Sequence, residues 1–243
     1  MKLLVATSNP HKLDEIRGAF AAAGGAAARQ VRLVTLADAG VDVPEPVEDR
    51  DSFEGNAELK ARYYAQASGL LTLADDSGLE VDALGGAPGV ISARYAGVTG
   101  GRAFVDPANN EKLLRELGDT PAEQRTARFV CAMALAFDER EPGRVCMLDE
   151  VEQRNEGGIL AVVRGTVEGR ILGPGDCGCT GDPAAYRRGR GTHGFGFDPI
   201  FLLPARGMTT AELTPEQKNA ISHRGCAARR MWERLGALVG AQD

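Results

Sequence analysis

The sequence predicts an α/β fold in which a mixed sheet is flanked by helices on both sides. Apolar runs of strand length alternate with segments of helical periodicity, although without strict regularity. The length of 243 residues fits one large domain or two small lobes that share a core. Because no internal repeat and no clear interdomain linker is visible, we treat residues 1–243 as a single domain.

Seven segments are predicted to be strands because each is a short apolar or aromatic run bounded by turn residues. In chain order they are residues 3–6, 31–36, 70–74, 79–81, 127–137, 159–171 and 195–203. The third strand is predicted to stop at two adjacent carboxylates, Asp75 and Asp76. Gly165 lies inside the sixth run and is a candidate for a bulge.

The predicted helices begin at residues with capping side chains or at proline, and two of them end at glycine. Their starts are Asn9–Pro10, Asp51 or Ser52, Asp106–Pro107, Thr214–Pro215 and Ser222, and the first and third end at Gly24 and Gly118. Residues 172–192 are rich in glycine and proline and carry several arginines. This composition predicts an exposed loop or insertion.

The residue composition, the net charge and the lengths of the apolar runs limit the classes of protein to which this chain can belong. Apolar residues make up 43% of the chain and charged residues 26%, which is typical of a soluble globular protein. The net charge of -6 provides no general basic field for nucleic acid, so any phosphate site must be local. No apolar run has the length of a membrane span or of a secretory signal.

The cysteines indicate a reducing compartment. There are five of them, an odd number, mostly scattered, so we expect a reduced, cytoplasmic protein without a disulfide framework. Cys177 and Cys179 form a close pair but lack the second pair that is usual in a structural zinc site.

The segment Thr7 to Lys12 is the first candidate site. A predicted strand ends there and a helix begins, so free backbone N–H groups and the positive end of the helix dipole lie together, which suits phosphate. Lys12 adds a full positive charge. The alternative is an ordinary capped helix with a solvated lysine, because the glycine spacing of a P-loop is absent.

The second candidate is Asp75-Asp76-Ser77-Gly78, at the carboxyl end of a predicted strand, where open α/β sheets bind ligands. Adjacent carboxylates repel each other and favour a nearby cation, and along a strand they point to opposite faces. Magnesium uses one or two protein carboxylates, and a carboxylate beside it can accept a proton from water. The alternative is an acidic turn that leads into a hairpin.

Two further sequences fit a nucleotide base. In Phe195-Gly196-Phe197-Asp198 an aromatic face can stack on a base and Asp198 can accept hydrogen bonds from it. The alternative there is an ordinary core strand. Lys218 is followed by Ser222-His223-Arg224, where two cations in the first turn of a helix oppose its dipole. An anion or a base carbonyl would explain them, and the alternative is a solvated helix start.

Five stretches then identify a family resemblance, and they cover nearly the whole chain: ATSNPHKLDEI, SFEGNAELKA, ADDSGLEVDALGGAPGVISARYAG, GFGFDPIF and TPEQKNAISHRGCA. The chain resembles the inosine/xanthosine triphosphate pyrophosphatases, which hydrolyse non-canonical purine nucleoside triphosphates to the monophosphate and pyrophosphate. The resemblance implies an elongated two-lobed α/β fold with a nucleotide cleft between the lobes. It also implies Mg²⁺, a cytoplasmic homodimer, and a purine nucleoside triphosphate (ITP, dITP or XTP) as substrate, with no nucleic acid polymer or membrane as partner.

The resemblance also implies the roles of individual residues. The triphosphate is assigned to Thr7, Ser8, Asn9, Lys12 and Lys60. The metal is assigned to Glu48 and Asp76, with Asp76 as proton acceptor and Ser77 in contact with substrate. The base is assigned to Phe195, Gly196, Phe197 and Asp198, with Phe195 stacking, and to Lys218, His223 and Arg224, which close over it. The 6-keto group of the base is expected to meet Arg224 or His223.

Three departures from the family pattern bear on these expectations. Gly55 replaces a glutamate, His193 replaces a glycine, and the segment from about 172 to 190 is longer than usual. The longer segment is interpreted as a surface insertion or as a lid. Gly55 and His193 leave open a nucleotide-binding sensor that has lost catalysis, against which the retained Glu48, Asp76, Lys12 and Lys60 argue. A second alternative is a pyrophosphatase for other modified nucleotides, against which the intact Ser222-His223-Arg224 motif argues.

Overall fold

The computed structural model describes residues 1–25, 27–140, 158–176 and 185–239. The predicted α/β class is confirmed: these residues form a mixed sheet with helices packed on it. Cys177 and Cys179 lie outside the described residues, as does part of the predicted insertion. No helix in the described ranges is long and apolar enough to cross a bilayer.

Seven strands of the described chain form one sheet in the order β2-β1-β3-β4-β5-β6-β7. The strands are β1 Lys2–Val5, β2 Arg32–Val34, β3 Thr72–Val81, β4 Thr126–Ala136, β5 Ile159–Ile171, β6 Phe201–Leu203 and β7 Met208–Thr209. β1 runs parallel to both β2 and β3, whereas β6 is antiparallel to both β5 and β7. The sheet is therefore mixed, as predicted.

The α-helices of the described chain are α1 Pro10–Gly24, α2 Phe53–Ser68, α3 Arg102–Leu117, α4 Pro215–Ile221 and α5 His223–Val239. Their starts follow the local signals in the sequence. The Asn9 side chain caps α1, Ser52 caps α2, and Thr214 forms a capping box with Gln217 at α4. Such caps satisfy backbone N–H groups that have no partner inside the helix.

The described chain divides into two compact units. Unit 1 contains Met1–Asp76, Cys131–Gly165 and the segment from His223, and unit 2 contains Ser77–Val130 and Thr166–Ser222. Each unit has its own apolar core. In unit 1, α1 packs on α5, with the rings of Phe20 and Trp232 edge to face at 5.3 Å. The core of unit 2 includes Phe129 and Phe201, whose ring centroids are 4.4 Å apart.

Three predicted boundaries are wrong. The predicted strands 70–74 and 79–81 are one continuous strand, β3, so Asp75 and Asp76 lie inside a strand and not at its end. Charged groups are tolerated there because each carboxylate has cationic partners, as described below. The predicted strand 195–203 begins only at Phe201, because Gly194 and Gly196 adopt positive φ angles of 81° and 62° that a strand does not allow.

The third error concerns α3, which begins at Arg102, one turn before the predicted start. Pro107 therefore lies inside the helix, where it cannot donate the backbone hydrogen bond of that position. The loss is tolerated because the residues from Arg102 to Phe104 are exposed to solvent. Consequently the first turn of α3 has fewer backbone constraints than the rest of the helix.

Gly165, the predicted bulge candidate, has a steric role in β5. A Cβ added at this residue would lie 2.3 Å from the carbonyl oxygen of His223 and 2.5 Å from the backbone nitrogen of Ala227. Both atoms belong to the first turns of α5, which therefore passes directly against the backbone of β5. Only glycine allows this approach without displacing the helix.

We expect Gly165→Ala to destabilise the protein by about 1–3 kcal/mol, because the new methyl group meets backbone atoms that cannot move independently. Gly236→Ala is the matched control. It lies on the exposed side of α5, its Cβ would meet nothing within 4 Å, and alanine favours helix by up to about 1 kcal/mol. Urea unfolding of both variants measures the difference, and a Gly165→Ala variant as stable as wild type would contradict the steric explanation.

Candidate active site

The predicted phosphate-binding segment lies in unit 1, in the turn between β1 and α1. Thr7 Oγ1 accepts a hydrogen bond from the Asn9 backbone at 3.2 Å, and Asn9 Oδ1 accepts one from the His11 backbone at 3.1 Å. The Asn9 Nδ2 group is buried and has no hydrogen-bond partner in the described structure. A buried donor of this kind is costly unless a ligand oxygen pairs with it, so its position at a helix N-terminus fits an anion.

Asp75 is held between two cations. Its Oδ2 atom lies 2.9 Å from Lys12 Nζ and 3.3 Å from Arg224 Nε, and the carboxylate is almost completely buried. Burial alone would raise the pKa of Asp75, but Lys12, Arg224 and Lys60 outweigh it and hold the pKa well below its usual range. Asp75 is therefore a permanent anion that anchors side chains, and it is a poor base.

Asp76 has the opposite character, although it is the next residue in β3. Burial raises its pKa, the nearby Glu48 carboxylate raises it further, and Lys60 opposes the shift only in part. Asn56 Nδ2 donates to Asp76 Oδ2 at 3.1 Å, and Lys60 Nζ lies 3.6 Å from Asp76 Oδ1. A carboxylate with a raised pKa binds a proton more readily, which suits a general base.

Glu48 and Asp76 share one ammonium group. Lys60 Nζ lies 2.7 Å from Glu48 Oε1, and it is the same atom that contacts Asp76. Burial lowers the pKa of Lys60, but the charges of Asp76, Asp75 and Glu48 outweigh this effect and raise it. The side chains assigned to metal and to phosphate by the family resemblance are thus brought together here.

The donor set of these residues suits a hard divalent cation. No group of three or more His, Cys, Asp or Glu side chains able to hold a metal occurs among the described residues. Magnesium does not need one, because it commonly binds one or two carboxylates and completes its shell with phosphate oxygens and water. The two carboxylates at Lys60 therefore fit a magnesium ion whose other ligands are phosphate oxygens and water.

The predicted base-binding loop lies in unit 2 and is organised by Asp198. This carboxylate is buried and accepts hydrogen bonds from the Phe195 backbone at 2.8 Å, Thr210 Oγ1 at 2.7 Å and Lys218 Nζ at 2.6 Å. A Cβ at Gly194 would lie 2.1 Å from its Oδ2 atom, so the turn around Asp198 requires glycine. In this structure Asp198 fixes the loop, and its predicted contact with a base stays a prediction.

The two aromatic residues of this loop are separated by the fold. Phe197 is buried in the core of unit 2, as the core-strand alternative had suggested for this segment. Phe195 is only partly buried, and two cations lie over its ring: Arg102 Cζ at 4.7 Å and Lys218 Nζ at 5.1 Å from the centroid. Phe195 is therefore the ring of this loop that can present a face to a ligand.

The cations at the start of α5 have an explanation in the structure. Ser222 lies between α4 and α5, and His223 and Arg224 form the buried first turn of α5. The Arg224 guanidinium pairs with Asp75 and with Glu15, both in unit 1. These carboxylates offset the unfavourable position of a cation at a helix N-terminus. The expected contact of His223 and Arg224 with a base stays a prediction.

Two of the three departures from the family pattern can be located. The Gly55 N–H donates to Ser52 Oγ at 3.1 Å, and an added Cβ would lie 3.0 Å from Arg50 Cβ, so this turn is tightly packed. The preceding residue, Glu54, instead carries an acid that pairs with Arg164 at 2.9 Å. His193 donates its backbone N–H to the Ala211 carbonyl at 3.0 Å, while the neighbouring glycines supply the positive φ angles.

Sequence reasoning missed several residues that position the site. Asn56 lies four residues before Lys60 on the same face of α2, a spacing that could have linked it to Asp76. Glu15 occupies the same face of α1 as Lys12 and could have been included with it. Asp106 and Asn110 hold Gly196, and no local signal connects them to a loop 86 to 90 residues away.

Comparison with known proteins agrees with the motifs. The Ham1 family model matches residues 3–234. A dITP/XTP pyrophosphatase of Bifidobacterium animalis is 42% identical, with 98% of each chain covered, and one of Exiguobacterium sibiricum is also 42% identical over 99% of this chain and 100% of its own. The HAM1 protein structure from Coxiella burnetii is 33% identical, with a TM-score of 0.72 over 98% of this chain and 99% of that one. This chain therefore belongs to the Ham1 family.

Proposed function

We propose that this protein hydrolyses non-canonical purine nucleoside triphosphates, namely ITP, dITP and XTP, to the monophosphate and pyrophosphate. The observation that carries the proposal is the contrast between Asp75 and Asp76. One carboxylate is held by Lys12 and Arg224, while the other accepts a hydrogen bond from Asn56 and shares the Lys60 ammonium group with Glu48. The names of the dITP/XTP pyrophosphatases that resemble this chain over their full length support the same activity.

In the proposed reaction a water molecule attacks the α-phosphorus. The water oxygen forms a bond to that phosphorus while Asp76 accepts a proton from the water. The bond from that phosphorus to the oxygen bridging the α- and β-phosphates breaks, and pyrophosphate leaves with the bridging oxygen. Lys60 and Lys12 offset the negative charge of the leaving group, and the Asn9 amide donates to a phosphate oxygen. A Mg²⁺ ion bound by Glu48 and Asp76 would supply further positive charge at the phosphate oxygens.

The base is proposed to bind in unit 2, on the partly exposed ring of Phe195. Lys218 Nζ lies 5.1 Å from the centroid of that ring, and the loop from Gly194 to Gly196 supplies backbone groups beside it. A 6-keto group accepts hydrogen bonds from such donors, whereas the 6-amino group of adenine would face them with donors of its own. An unpaired polar group costs about 1–3 kcal/mol, which is enough to discriminate strongly between the two bases.

The proposal is tested with purified protein, Mg²⁺ and ITP, by measuring phosphate with and without added inorganic pyrophosphatase. We expect phosphate only when the pyrophosphatase is added, because the direct product is pyrophosphate. Phosphate released without it would indicate stepwise phosphatase activity, and no release in either case, with nucleotide still bound, would indicate a sensor.

The substrate prediction follows from the same assay with four nucleotides. We expect kcat/KM for ITP and XTP to exceed that for ATP by roughly 10- to 100-fold or more, because the donors near Phe195 match a keto group and oppose an amino group. GTP is included because guanine shares the 6-keto group and differs at position 2. Equal values of kcat/KM for ITP and ATP would contradict this model of the base site.

We also propose that the protein acts as a cytoplasmic homodimer, as the family resemblance implies. Sedimentation equilibrium of the full chain, at concentrations on both sides of about 1 μM, measures the oligomeric state. A single species at the mass of one 25.7 kDa chain throughout that range would contradict the dimer.

A further inference from the structure

Arg102, at the start of α3, lies over the Phe195 ring and was not among the residues that the family resemblance assigned to the site. We propose that Arg102 is an additional substrate-binding residue, which stacks on the purine held at Phe195 and donates hydrogen bonds to its keto groups. This inference rests on the proposed function, because it takes a purine nucleotide as the ligand. It extends that function by naming a residue that sets the preference among keto purines.

The first observation concerns the contacts and the exposure of the Arg102 side chain. Its guanidinium carbon lies 4.7 Å from the Phe195 ring centroid, and its nearest carboxylate, that of Asp106, is 3.9 Å away. The side chain is half exposed, and within the described residues the guanidinium makes no hydrogen bond. Arginine carries five N–H donors. Those of Arg102 are therefore available to a ligand at the ring.

The second observation is that one face of α3 serves the base-binding loop. Arg102, Asp106 and Asn110 are spaced four residues apart and so lie along the same side of the helix. Asp106 Oδ2 accepts a hydrogen bond from the Gly196 backbone at 2.8 Å, and Asn110 Nδ2 donates to the Gly196 carbonyl at 3.1 Å. The same helix therefore carries Arg102 and binds the loop, which fixes the position of the loop relative to Arg102.

The third observation distinguishes the two cations at the ring. Lys218 is fixed, because its ammonium group is buried against Asp198 at 2.6 Å. Arg102 has no comparable anchor, and it lies in the exposed first turn of α3, whose backbone is less constrained because Pro107 lacks an N–H. A base that stacks on Phe195 can therefore displace Arg102 without breaking a strong ion pair, and the guanidinium can settle on the base.

The chemistry of the guanidinium fits keto purines. It is planar and stacks on aromatic faces, and its paired N–H groups suit carbonyl acceptors. Hypoxanthine offers one keto group and xanthine offers two, at positions 2 and 6. A residue that meets these groups should therefore favour XTP more than ITP. A purely structural contact between Arg102 and Phe195 would not depend on which base is present.

The test compares Arg102→Gln with wild type in steady-state hydrolysis of ITP and XTP. We expect KM to rise about 3-fold or more for ITP and about 10-fold or more for XTP, in keeping with the loss of one stacked cation and its hydrogen bonds. We expect kcat to stay within about 2-fold, since Arg102 is not assigned to the phosphates. Arg102→Lys, which keeps the charge but not the planar group, should lie between the two.

Arg115→Gln is the matched control, because Arg115 is an exposed arginine in the last turn of the same helix. It should leave KM for both nucleotides unchanged. Equal KM values for Arg102→Gln and wild type, or an equal rise for ITP and XTP, would overturn the inference.

A separate binding experiment tests the role of Arg102 independently of the proposed reaction. Calorimetry measures the binding of IMP and XMP to wild type and to Arg102→Gln. If the wild type releases no pyrophosphate from any triphosphate, the proposed function fails, yet weaker XMP binding by the variant still supports the role of Arg102. Equal affinity of both proteins for XMP, or no binding of either monophosphate by the wild type, would overturn that role.

Discussion

Asp76→Asn should lower kcat for ITP by roughly 10²- to 10⁴-fold, because it removes the group that accepts the proton of the attacking water. The Asp76→Asn variant should still fold, and its stability should equal or exceed that of wild type. The raised pKa of Asp76 means that its charged form is less favourable in the folded chain than in water, owing to burial and to Glu48. The expected result is therefore an inactive protein with a melting temperature equal to or above that of wild type.

The adjacent substitution, Asp75→Asn, is the control for this prediction. The pKa of Asp75 is lowered, so its charge stabilises the fold at every pH above the ordinary aspartate range and the stabilisation is lost only in strong acid. Asp75→Asn should accordingly lower the melting temperature. Thermal unfolding and pyrophosphate release, measured on both variants, decide the matter. Near-normal turnover in Asp76→Asn, or the same change of stability in both variants, would contradict the assignment.

Arg224→Met should destabilise the protein by about 3–5 kcal/mol, because it leaves the carboxylates of Asp75 and Glu15 without their shared partner. For a chain of this size such a loss lowers the melting temperature by roughly 6–20 °C. Arg234→Met, at an exposed position of the same helix, is the control and should change stability by no more than about 0.5 kcal/mol.

This prediction also separates two roles for Arg224. The family resemblance implies that it closes over the base, whereas its contacts in unit 1 make it the anchor of the buried Asp75 and the partly buried Glu15. An Arg224→Met variant that keeps its melting temperature but loses the discrimination of ITP from ATP would favour base contact alone. A large loss of stability would confirm the anchoring role.

Local signals predicted most helix starts, although not that of α3, because a side-chain cap is made within three residues of chain. The Asn9, Ser52 and Thr214 caps all formed where the sequence placed them. The strand at Phe195 was mispredicted because the apolar pattern outweighed the glycines on either side. The hydrogen bonds that Asp198 accepts from Thr210 and Lys218 fix that turn, and they depend on contacts that no local pattern shows.

The sequence predicted which residues belong to the candidate site, but it did not predict which of them form ion pairs with each other. The motifs named Lys12, Lys60, Asp75 and Asp76 as neighbours of a phosphate or a cation. They did not show that Lys12 would pair with Asp75 while Lys60 would pair with Asp76, since this depends on which face of β3 each carboxylate occupies. The partner of Asp75 on α5 lies 149 residues away, and only the tertiary fold brings it there.

Because Asp75 and Asp76 lie inside one strand, the register of β3 decides which carboxylate is the anchor and which is the base. Because neighbouring side chains of a strand alternate between faces, a shift of β3 by a single residue would exchange the anchor and the base. Insertions or deletions of one residue just before this pair should therefore abolish turnover, even where the remaining apolar side chains still find buried positions. A compensating change of the opposite sign, placed between the first change and Asp75, should restore turnover because it returns both carboxylates to their original faces.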